Sequence, residues 1–483
     1  MRRLLALLVL AALASGAGAQ VSDAEFRARR DSLAARLPAD AAIVAFGERD
    51  EIGFPAFYQS PNFRYLTGLS EPNAVLVVVR QNGRVEGTLF RQSRSPSEVL
   101  FNGELEGAAS VTARTGLALR PLPQLAATVD SLIAAGRPLY IVRDTRSYGG
   151  VNDTLTRGSV FAAALNRRTP APVIRTADPE LLALRARKSA AEQLLVRRSA
   201  EITAQSVNEA IHGIKPGQHE YDVQAAIESG FRTRGGDTHT GFATNVSAGI
   251  NSTTAHHRAA DAPLEAGKLV LMDVGAAYQG YSADLTRTVP VSGTFSPSQR
   301  DIYQLVRDAQ AAAERAATLG AASRGMEDSA SATIARGLAR LGLIESADAT
   351  FDPPWADRCA RNPAPCRQSY FFYFHGIGHG IGLDVHDPAQ FSVASATERV
   401  IRPGDAFTIE PGIYIDASRL SLLADTPKNR AFIAKARAVM AKYDGIGVRI
   451  EDDFMATERG VERITPAARE IDEIEALMRS PRP

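Results

Sequence analysis

The sequence predicts an α/β (α+β) protein, in which a smaller N-terminal α/β domain precedes a larger second domain. Between residues 20 and 177, short apolar runs typical of buried strands alternate with segments of helical spacing. Asp178-Pro179 is a helix start signal, because proline is favoured at the first helical position. We therefore expect domains over residues 20–177 and 178–483. A hairpin over residues 269–288 that carries two carboxylates indicates that the chemistry lies in the second domain.

Local apolar patterns predict the principal elements. In the first domain we expect three strands and two helices, at Ala42–Phe46, Ala74–Val79, Leu139–Val142, Ala24–Leu37 and Leu122–Ala135. The helix that begins at Asp178 is expected to run to about Gly213. Ser296-Pro297-Ser298-Gln299 combines a capping box with a proline at the first helical position, which predicts another helix start. The first domain contains no histidine, and no catalytic constellation is recognisable in it.

Length and composition exclude several classes of protein. The chain has 483 residues, of which 45% are hydrophobic and 23% charged, as in ordinary globular proteins. The net charge of +1 offers no excess of either sign for binding nucleic acid or an anionic membrane surface. We expect neither nucleic acid nor a membrane as a partner.

The first nineteen residues have the pattern of a secretory signal peptide. Met1-Arg2-Arg3 is a positive n-region, an apolar run follows, and Ala17-Gly18-Ala19 is a small-residue cleavage site. The alternative, an uncleaved membrane anchor, needs an apolar run of about 20 residues, and this one is shorter. We expect cleavage after Ala19 and export to the periplasm or the medium.

Two segments of the second domain have the character of insertions, residues 346–370 and 416–444. The first contains the only two cysteines, Cys359 and Cys366. In an exported protein their spacing predicts a local disulfide, with metal ligation by two thiolates as the alternative. The second carries a basic helix whose apolar residues lie on one side, namely Phe432, Ile433, Ala436, Val439 and Met440.

The predicted hairpin brings two acids near each other. The apolar run Leu269–Met272 ends at Asp273, and Asp284 follows on the return strand. A turn at Tyr278 and Gln279 would place Asp273 directly opposite Asp284, whereas a turn shifted by one residue would use Gly280. Facing like charges are destabilising unless a cation lies between them. The alternative is a pair of solvated acids beside a turn.

Five of the eight histidines fall in two short stretches, His256-His257 and a segment that holds His375, His379 and His386. The second stretch reads HGIGHGIGLDVHD, and its glycines disfavour a helix. A zincin site is excluded, because that site needs a helix with a glutamate between the histidines. In an extended chain, residues four apart share a face, so His375 and His379 are expected to point the same way.

Two further acids follow strand-like runs. Glu410 follows Ala406–Ile409, and Glu451 follows Gly447–Ile450. Burying such an acid is costly unless it is paired or bound to a metal. With Asp273 and Asp284 they carry four negative charges, which two divalent ions would balance. Oxygen ligands with one imidazole, His379, and no thiolate favour manganese, cobalt or zinc.

Four motifs, MDVGAAYQGYSADLTRT, HGIGHGIGLDVHD, TIEPGIY and GVRIEDD, occur in this order from residue 272 onwards. They resemble the metallopeptidase family that includes Xaa-Pro aminopeptidases (aminopeptidase P), prolidases and methionine aminopeptidases. The resemblance implies a pita-bread catalytic domain. The stretch YQSPNFRYLTGLSEPNAVLVV is similar to the N-terminal domain of the proline-specific members.

The resemblance implies a role for each residue of the site. Two divalent metal ions, with manganese expected, would be bound by Asp273, Asp284, His379, Glu410 and Glu451. Asp284 and Glu451 would bridge the ions, and Glu410 would relay a proton to the leaving amine. Creatinase-like members of the family lack these ligands, which disfavours a non-peptidase activity for this chain.

The same resemblance assigns residues to the substrate side. His256 and His386 would steady the substrate carbonyl and the oxyanion, whereas His375 and Arg449 would line the substrate pocket. On sequence alone His257 is a rival for His256. The resemblance leaves substrate length in doubt, because the Glu410–Glu451 link is longer than the family pattern and the cysteine-bearing insertion directly precedes His375.

The expected function is an exported dinuclear metal exopeptidase that releases the N-terminal residue from peptides with proline in the second position. One alternative is an Xaa-Pro dipeptidase (prolidase), and another is a non-catalytic binding protein on the same fold. Peptides with Xaa-Pro N-termini are the expected partners. We also expect a homo-oligomer. The aromatic stretch over residues 57–68 is either a core-and-turn segment or a surface offered to the site of a neighbouring subunit.

Overall fold

The computed structural model describes residues 20–49, 57–81, 83–144, 156–258, 261–355, 366–387 and 399–480, together with the backbone of 147–148 and 151–152. The mixed α/β architecture expected from the sequence is confirmed. The chain forms two compact units, one ending at Arg187 and the other beginning at Lys188. None of the helices in these ranges is long and apolar enough to cross a membrane.

The first unit is built on a six-stranded mixed sheet, in the order β4-β3-β2-β1-β5-β8. The strands of this unit are β1 Ala42–Phe46, β2 Val75–Gln81, β3 Arg84–Arg91, β4 Ala118–Pro121, β5 Leu139–Ile141, β6 Ser147–Tyr148, β7 Val151–Asn152 and β8 Ile174–Thr176. The helices are α1 Asp23–Arg36, α2 Pro61–Thr67, α3 Pro96–Asn102, α4 Ala108–Thr115, α5 Leu125–Ala134, α6 Arg157–Asn166 and α7 Asp178–Arg185. Strand β1 is buried along its whole length, as its apolar run predicts.

The elements predicted for this unit are confirmed with small differences at their ends. Strand β1 has the predicted bounds, and α1 begins and ends one residue before its prediction. The predicted helix at Leu122 begins as a 3₁₀ turn over Leu122–Gln124 and continues as α5.

The long helix expected from Asp178 to Gly213 is wrong, because it is two helices. After α7, a new helix α8 spans Ala190–Gly213, with Ser189 as its N-cap. The Ser189 hydroxyl accepts from the Glu192 N–H, and the Glu192 carboxylate accepts from the Ser189 N–H. This capping box satisfies the N–H groups of Ser189 and Glu192, which in a continuous helix would bond to preceding carbonyl groups. A new helix therefore starts here. The two units divide at this break, whereas the sequence-based boundary precedes α7.

The second unit contains five more helices and ten strands in the described part of the chain. The helices are α9 Glu220–Thr233, α10 Pro297–Ala316, α11 Arg324–Arg340, α12 Pro427–Tyr443 and α13 Ile471–Arg479. The strands are β9 Asn245–Ala248, β10 Leu269–Val274, β11 Ala277–Tyr278, β12 Tyr281–Ser282, β13 Leu285–Pro290, β14 Ala406–Ile409, β15 Gly412–Ile415, β16 Ile446–Arg449, β17 Asp452–Thr457 and β18 Gly460–Arg463. The strands form two three-stranded sheets, β13-β10-β9 and β14-β17-β18, and two two-stranded pairs, β11-β12 and β15-β16.

One apolar core joins the helices and strands of the second unit. Ile202 and Val207 of α8, Ile302 of α10, and Val270 and Met272 of β10 all belong to it and are fully buried. The capping box predicted at Ser296 is confirmed as the start of α10. Because both sheets and their helices share this core, the ends of the strands are held in fixed relative positions.

Of the two hairpin registers left open by the sequence, the structure has the one whose turn uses Gly280, and the register that places Asp273 opposite Asp284 is wrong. Strand β10 pairs with β13 so that Asp273 faces Thr286 rather than Asp284. The turn residues are Gln279 and Gly280, with φ of 48° and 81°. Two successive residues with positive φ are what a two-residue type I′ turn requires, and glycine adopts this conformation without strain. The turn therefore lies one residue later than a turn at Tyr278 and Gln279, which moves the facing pairs by two.

The second insertion folds as predicted, and the first is described only in part. Helix α12 buries Phe432, Ala436 and Met440, the residues expected on its apolar side. Cys359 lies outside the described residues, so the Cys359–Cys366 disulfide stays a prediction. The signal peptide over residues 1–19 also lies outside them.

Candidate active site

Three residues from separate parts of the second unit converge on one point. Ligand atoms of Asp284, His379 and Glu451 all lie within 4.8 Å of one another. The Nε2 atom of His379 is 3.4 Å from Asp284 Oδ2 and 4.0 Å from Glu451 Oε1. The same Nε2 is 3.6 Å from Oε1 of Glu410, so a fourth predicted ligand borders the cluster. We call these four residues the acidic cluster.

The acids of the cluster are placed by strand ends. Asp284 directly precedes β13, and its backbone N–H donates to the Asp453 carboxylate over 3.1 and 3.3 Å. Glu451 lies between β16 and β17, and its N–H donates to the Thr286 carbonyl over 3.1 Å. The Thr286 hydroxyl donates to Glu451 Oε2 over 2.8 Å, which orients that carboxylate.

His379 is placed by a loop that lies against β14. Its N–H donates to the Thr408 hydroxyl, and its carbonyl accepts from the Thr408 N–H over 2.9 Å. A β-carbon on Gly378 would lie 2.1 Å from the Thr408 carbonyl oxygen, so only glycine allows this approach. His379 Nδ1 lies 3.0 Å from the Gly380 carbonyl, which leaves Nε2 directed at the acids. The non-helical conformation predicted for this glycine-rich stretch is confirmed.

Burial shifts every ionisable group of the cluster towards its neutral form. Burial and the neighbouring Glu451 and Asp273 raise the pKa of Asp284 well above its ordinary value. Burial, together with Asp273, raises the pKa of Glu451 to about 7. Burial, with a smaller effect of His386, lowers the pKa of His379 to about 3. The cluster therefore combines acids that repel one another with an imidazole whose lone pair is free of a proton.

The donor set fits divalent cations. Among the described residues, Asp284 Oδ1 and Glu451 Oε1 are buried oxygens without a hydrogen-bond partner. A cation between them would satisfy both oxygens and reverse the repulsion between the carboxylates. Oxygen ligands with one imidazole suit hard or borderline divalent metals rather than a soft metal.

Asp273 lies beside the cluster and is paired with Arg449. Its Oδ2 accepts from Arg449 Nη2, and the Arg449 side chain is only 4% exposed. Arg449 also donates to the Tyr414 hydroxyl over 2.9 Å and to the Thr286 hydroxyl over 3.0 Å. Arg449 therefore anchors Asp273, which is close enough to Asp284 and Glu451 to raise the pKa of both carboxyl groups.

The predicted histidines surround this centre. His375 Nδ1 is 3.8 Å from Glu410 Oε2, so His375 and His379 both face Glu410 as expected. The His386 ring lies 3.9 Å from the His379 ring, centroid to centroid. Burial, with smaller effects of the nearby Arg449 and His256, lowers the pKa of His375 to about 3.

The structure separates the two adjacent histidines that the sequence could not distinguish. His256 acts electrostatically on both His375 and His386. His257 instead places Nε2 3.2 Å from the fully buried carboxylate of Glu220, at the start of α9. His256 therefore lies near the histidines that border the acidic cluster, whereas His257 contacts Glu220.

Sequence reasoning missed Tyr414. Its hydroxyl accepts from Arg449 and lies 2.8 Å from His375 Nε2, so it joins the two residues assigned to the substrate side. Burial raises the pKa of Tyr414 to about 12, although the nearby Arg449 opposes part of this rise. The hydroxyl group therefore stays protonated. The signal was present in the motif TIEPGIY, because a tyrosine in a wholly buried strand needs a partner for its hydroxyl.

Comparisons with known proteins agree with this geometry. A model of metallopeptidase family M24 matches residues 195–458, and a model of the aminopeptidase P N-terminal domain matches residues 26–140. Xaa-Pro aminopeptidase from Haemophilus influenzae is 30% identical over 469 residues, which cover 95% of this chain and 98% of the relative. The structures of aminopeptidase P from Escherichia coli with the inhibitor Pro-Leu and from Pseudomonas aeruginosa are 27% and 29% identical. Each has a TM-score of 0.76 over 95% of this chain and 98% of its own.

Proposed function

This chain belongs to metallopeptidase family M24, and from that premise we propose that it releases the N-terminal residue from peptides with proline in the second position. It is a metalloaminopeptidase with the two-domain architecture of aminopeptidase P. The observation that carries the proposal is the acidic cluster, in a chain whose similarity to Xaa-Pro aminopeptidases extends over both domains.

The proposed cofactors are two divalent ions, with manganese as the metal. Asp273, Asp284, His379, Glu410 and Glu451 would hold these ions. The two buried carboxylate oxygens without partners support this assignment. Such ions, when bound, lower the pKa of a water molecule and polarise a carbonyl group.

Glu410 is assigned the proton transfer. Both of its oxygens face the centre, one towards His379 and one towards His375. Burial and the neighbouring Glu451 raise its pKa well above the ordinary value. A carboxylate in this position can accept a proton in one step and return it in the next. It would take a proton from the attacking water as the new C–O bond forms. It would then give that proton to the proline nitrogen as the C–N bond breaks.

His256 and His386 are assigned to the substrate carbonyl and its oxyanion. Burial lowers the pKa of His386, with a further effect of His256, so its imidazole is neutral at pH 7 and can donate one N–H. A neutral donor aimed at the developing negative charge stabilises the transition state more than the substrate. His375, joined to Tyr414, would form the adjacent wall of the substrate pocket.

The preferred substrate is a peptide of three or more residues. The X-Pro bond has no N–H and a fixed ring, which general peptidases accommodate poorly. A dipeptide would place a carboxylate directly after proline, and a buried carboxylate needs a dedicated cation. Arg449 is the cation of the motifs, and it is already paired with Asp273. This engagement favours aminopeptidase over dipeptidase activity.

We also propose that the protein is exported and that it forms a homo-oligomer. The signal-peptide pattern over residues 1–19 supports export to the periplasm or the medium. Most of the aromatic stretch over residues 57–68 is buried, including Phe63 and Tyr65, so the proposed homo-oligomer rests on the exposed Tyr58 at its start. N-terminal sequencing of the protein recovered outside the cytoplasm should begin at Gln20, and light scattering should give a mass above that of one chain.

The test of function compares Ala-Pro, Ala-Pro-Ala and a longer peptide that begins Ala-Pro, with manganese supplied. We expect turnover of the two longer peptides, loss of turnover with a chelator, and about two metal ions per chain by elemental analysis. Faster turnover of the dipeptide than of both longer substrates would identify a prolidase. Stoichiometric peptide binding without any chelator-sensitive turnover would identify the non-catalytic alternative.

A further inference from the structure

The inserted stretch after β15 reaches the substrate side of the site through Arg419. The insertion begins with a 3₁₀ segment over Ala417–Leu422, and its two ends are joined because the Ala417 N–H donates to Asp444 Oδ1 over 2.8 Å. The start of the insertion is therefore held close to the paired strands β15 and β16. None of the assigned catalytic roles uses this segment.

Arg419 makes three kinds of contact at once. Its Nη2 donates to the Thr253 carbonyl over 2.6 Å and lies 3.3 Å from the Thr253 hydroxyl. Its Nε lies 3.4 Å from Asp416 Oδ2. Its guanidinium carbon is 5.9 Å from the centre of the Phe374 ring, within the range of a cation–π contact. The side chain is 22% exposed, far less than the 59% of Arg430 in the same insertion.

Both groups held by Arg419 lead directly to histidines of the site. Thr253 ends the 3₁₀ segment Gly249–Thr253, and His256 follows three residues later. Phe374 immediately precedes His375, with ring centroids 6.1 Å apart. The Phe374 ring also lies 5.1 Å from the Tyr414 ring, whose hydroxyl contacts His375.

A guanidinium suits this position better than an ammonium group. The planar group can donate at its edge to a carbonyl and a carboxylate while its face lies over an aromatic ring. Lysine can satisfy the carbonyl as a point charge, but it cannot hold the edge and face contacts together. The geometry of the three contacts is therefore specific to arginine.

We propose that Arg419 is a positioning residue, which fixes the His256 segment against the Phe374 ring and so sets the geometry of the substrate side. The proposal rests on the function proposed above and adds to it a role for the insertion. The long link between Glu410 and Glu451 then contributes to catalysis through one side chain.

The test compares Arg419→Ala and Arg419→Lys with Arg430→Ala, a control that removes an exposed pair with Asp425 from the same insertion. Turnover of Ala-Pro-Ala, metal content and Tm are measured for each. We expect kcat/KM to fall about 10-fold in Arg419→Ala, the loss of one hydrogen bond to a charged group. We expect a partial recovery in Arg419→Lys, no change in Arg430→Ala, and full metal content in all three.

A double-mutant cycle tests the route through His256. If Arg419 acts by positioning that residue, Arg419→Ala should lower kcat/KM far less in a His256→Ala background than in the wild type. Equal losses in the two backgrounds would overturn the proposal. Should Arg419→Ala fail to fold, Arg419→Lys is used in the same cycle.

Calorimetry of Pro-Leu binding distinguishes a failure of the Arg419 proposal from a failure of the proposed function. Weaker binding in Arg419→Ala than in Arg430→Ala supports positioning without requiring turnover. If the wild type is active and the Arg419→Ala and Arg430→Ala variants behave alike, the role of Arg419 is refuted and the proposed function stands. A wild type that neither cleaves Ala-Pro-Ala nor binds Pro-Leu refutes the proposed function, and the role of Arg419 falls with it.

Discussion

The buried ion pair between Lys188 and Asp387 provides a quantitative test of how the site is held. The two groups are 3.2 Å apart, and their side chains are 0% and 1% exposed. Asp387 directly follows His386, and its N–H donates to the Gly380 carbonyl over 2.9 Å. The pair therefore closes the loop that carries the histidines of the site.

Lys188→Met keeps the length of the side chain and removes its charge. The buried carboxylate of Asp387 then loses its cation, which should cost about 3–5 kcal/mol of unfolding free energy. At roughly 2–4 °C per kcal/mol for a large domain, Tm should fall by about 6–20 °C. Asp387→Asn in the same chain should recover part of the loss, because it removes the buried negative charge that faces Lys188.

The measurement is thermal and urea unfolding at pH 7, with Lys428→Met as the control. Lys428 and Asp352 are 3.3 Å apart, nearly the same separation, but their side chains are 46% and 45% exposed. Solvent screening makes such a pair contribute little, so Lys428→Met should leave Tm unchanged. Equal Tm values for the Lys188 and Lys428 variants would refute the argument from burial.

Four further predictions concern other parts of the chain. Asp273→Ala should abolish turnover and lower metal content by elemental analysis, and full activity with two bound ions would contradict its assignment as a ligand. Tyr414→Phe should lower kcat/KM about 10-fold without loss of metal, because it removes a hydrogen bond to a charged group; an unchanged value would mean that the hydroxyl is dispensable. Burial raises the pKa of Asp144 to about 6, so its ionisation opposes folding above its unfolded pKa. This penalty should disappear as the pH falls from 7 to 4, and Asp144→Asn should remove that pH dependence from urea unfolding. Mass spectrometry of the non-reduced exported protein should find Cys359 linked to Cys366, and two alkylatable thiols would contradict the disulfide.

Glu410 and Glu451 could be picked out from the sequence because each follows an apolar strand. Glu410 and Glu451 are isolated acids beside buried runs, a pattern that local sequence displays directly. The register of the hairpin could not be fixed in this way, because it depends on which residues adopt positive φ, and Gln279 does so although it is not glycine. The break before α8 was detectable, since Ser189 and Glu192 form a capping box in the sequence.

The partners of the site residues were less accessible to sequence reasoning. The pairing of Asp273 with Arg449, and of His257 with Glu220, joins residues far apart along the chain. No local periodicity reports such contacts, because they arise only when strands and helices pack. The acidic cluster was thus predictable by residue type, whereas its polar surroundings required the fold.

The position of the second insertion explains how a peptidase can vary its loops without disturbing a metal site. Strands β15 and β16 pair from Gly412 opposite Arg449 to Ile415 opposite Ile446. Glu410 and Glu451 flank the first of these pairs, and the inserted residues extend from the last. The separation of the two acids is therefore set by the strand register and is independent of the number of residues that join the far ends. A change in the length of this connection would therefore leave Glu410 and Glu451 at the same separation.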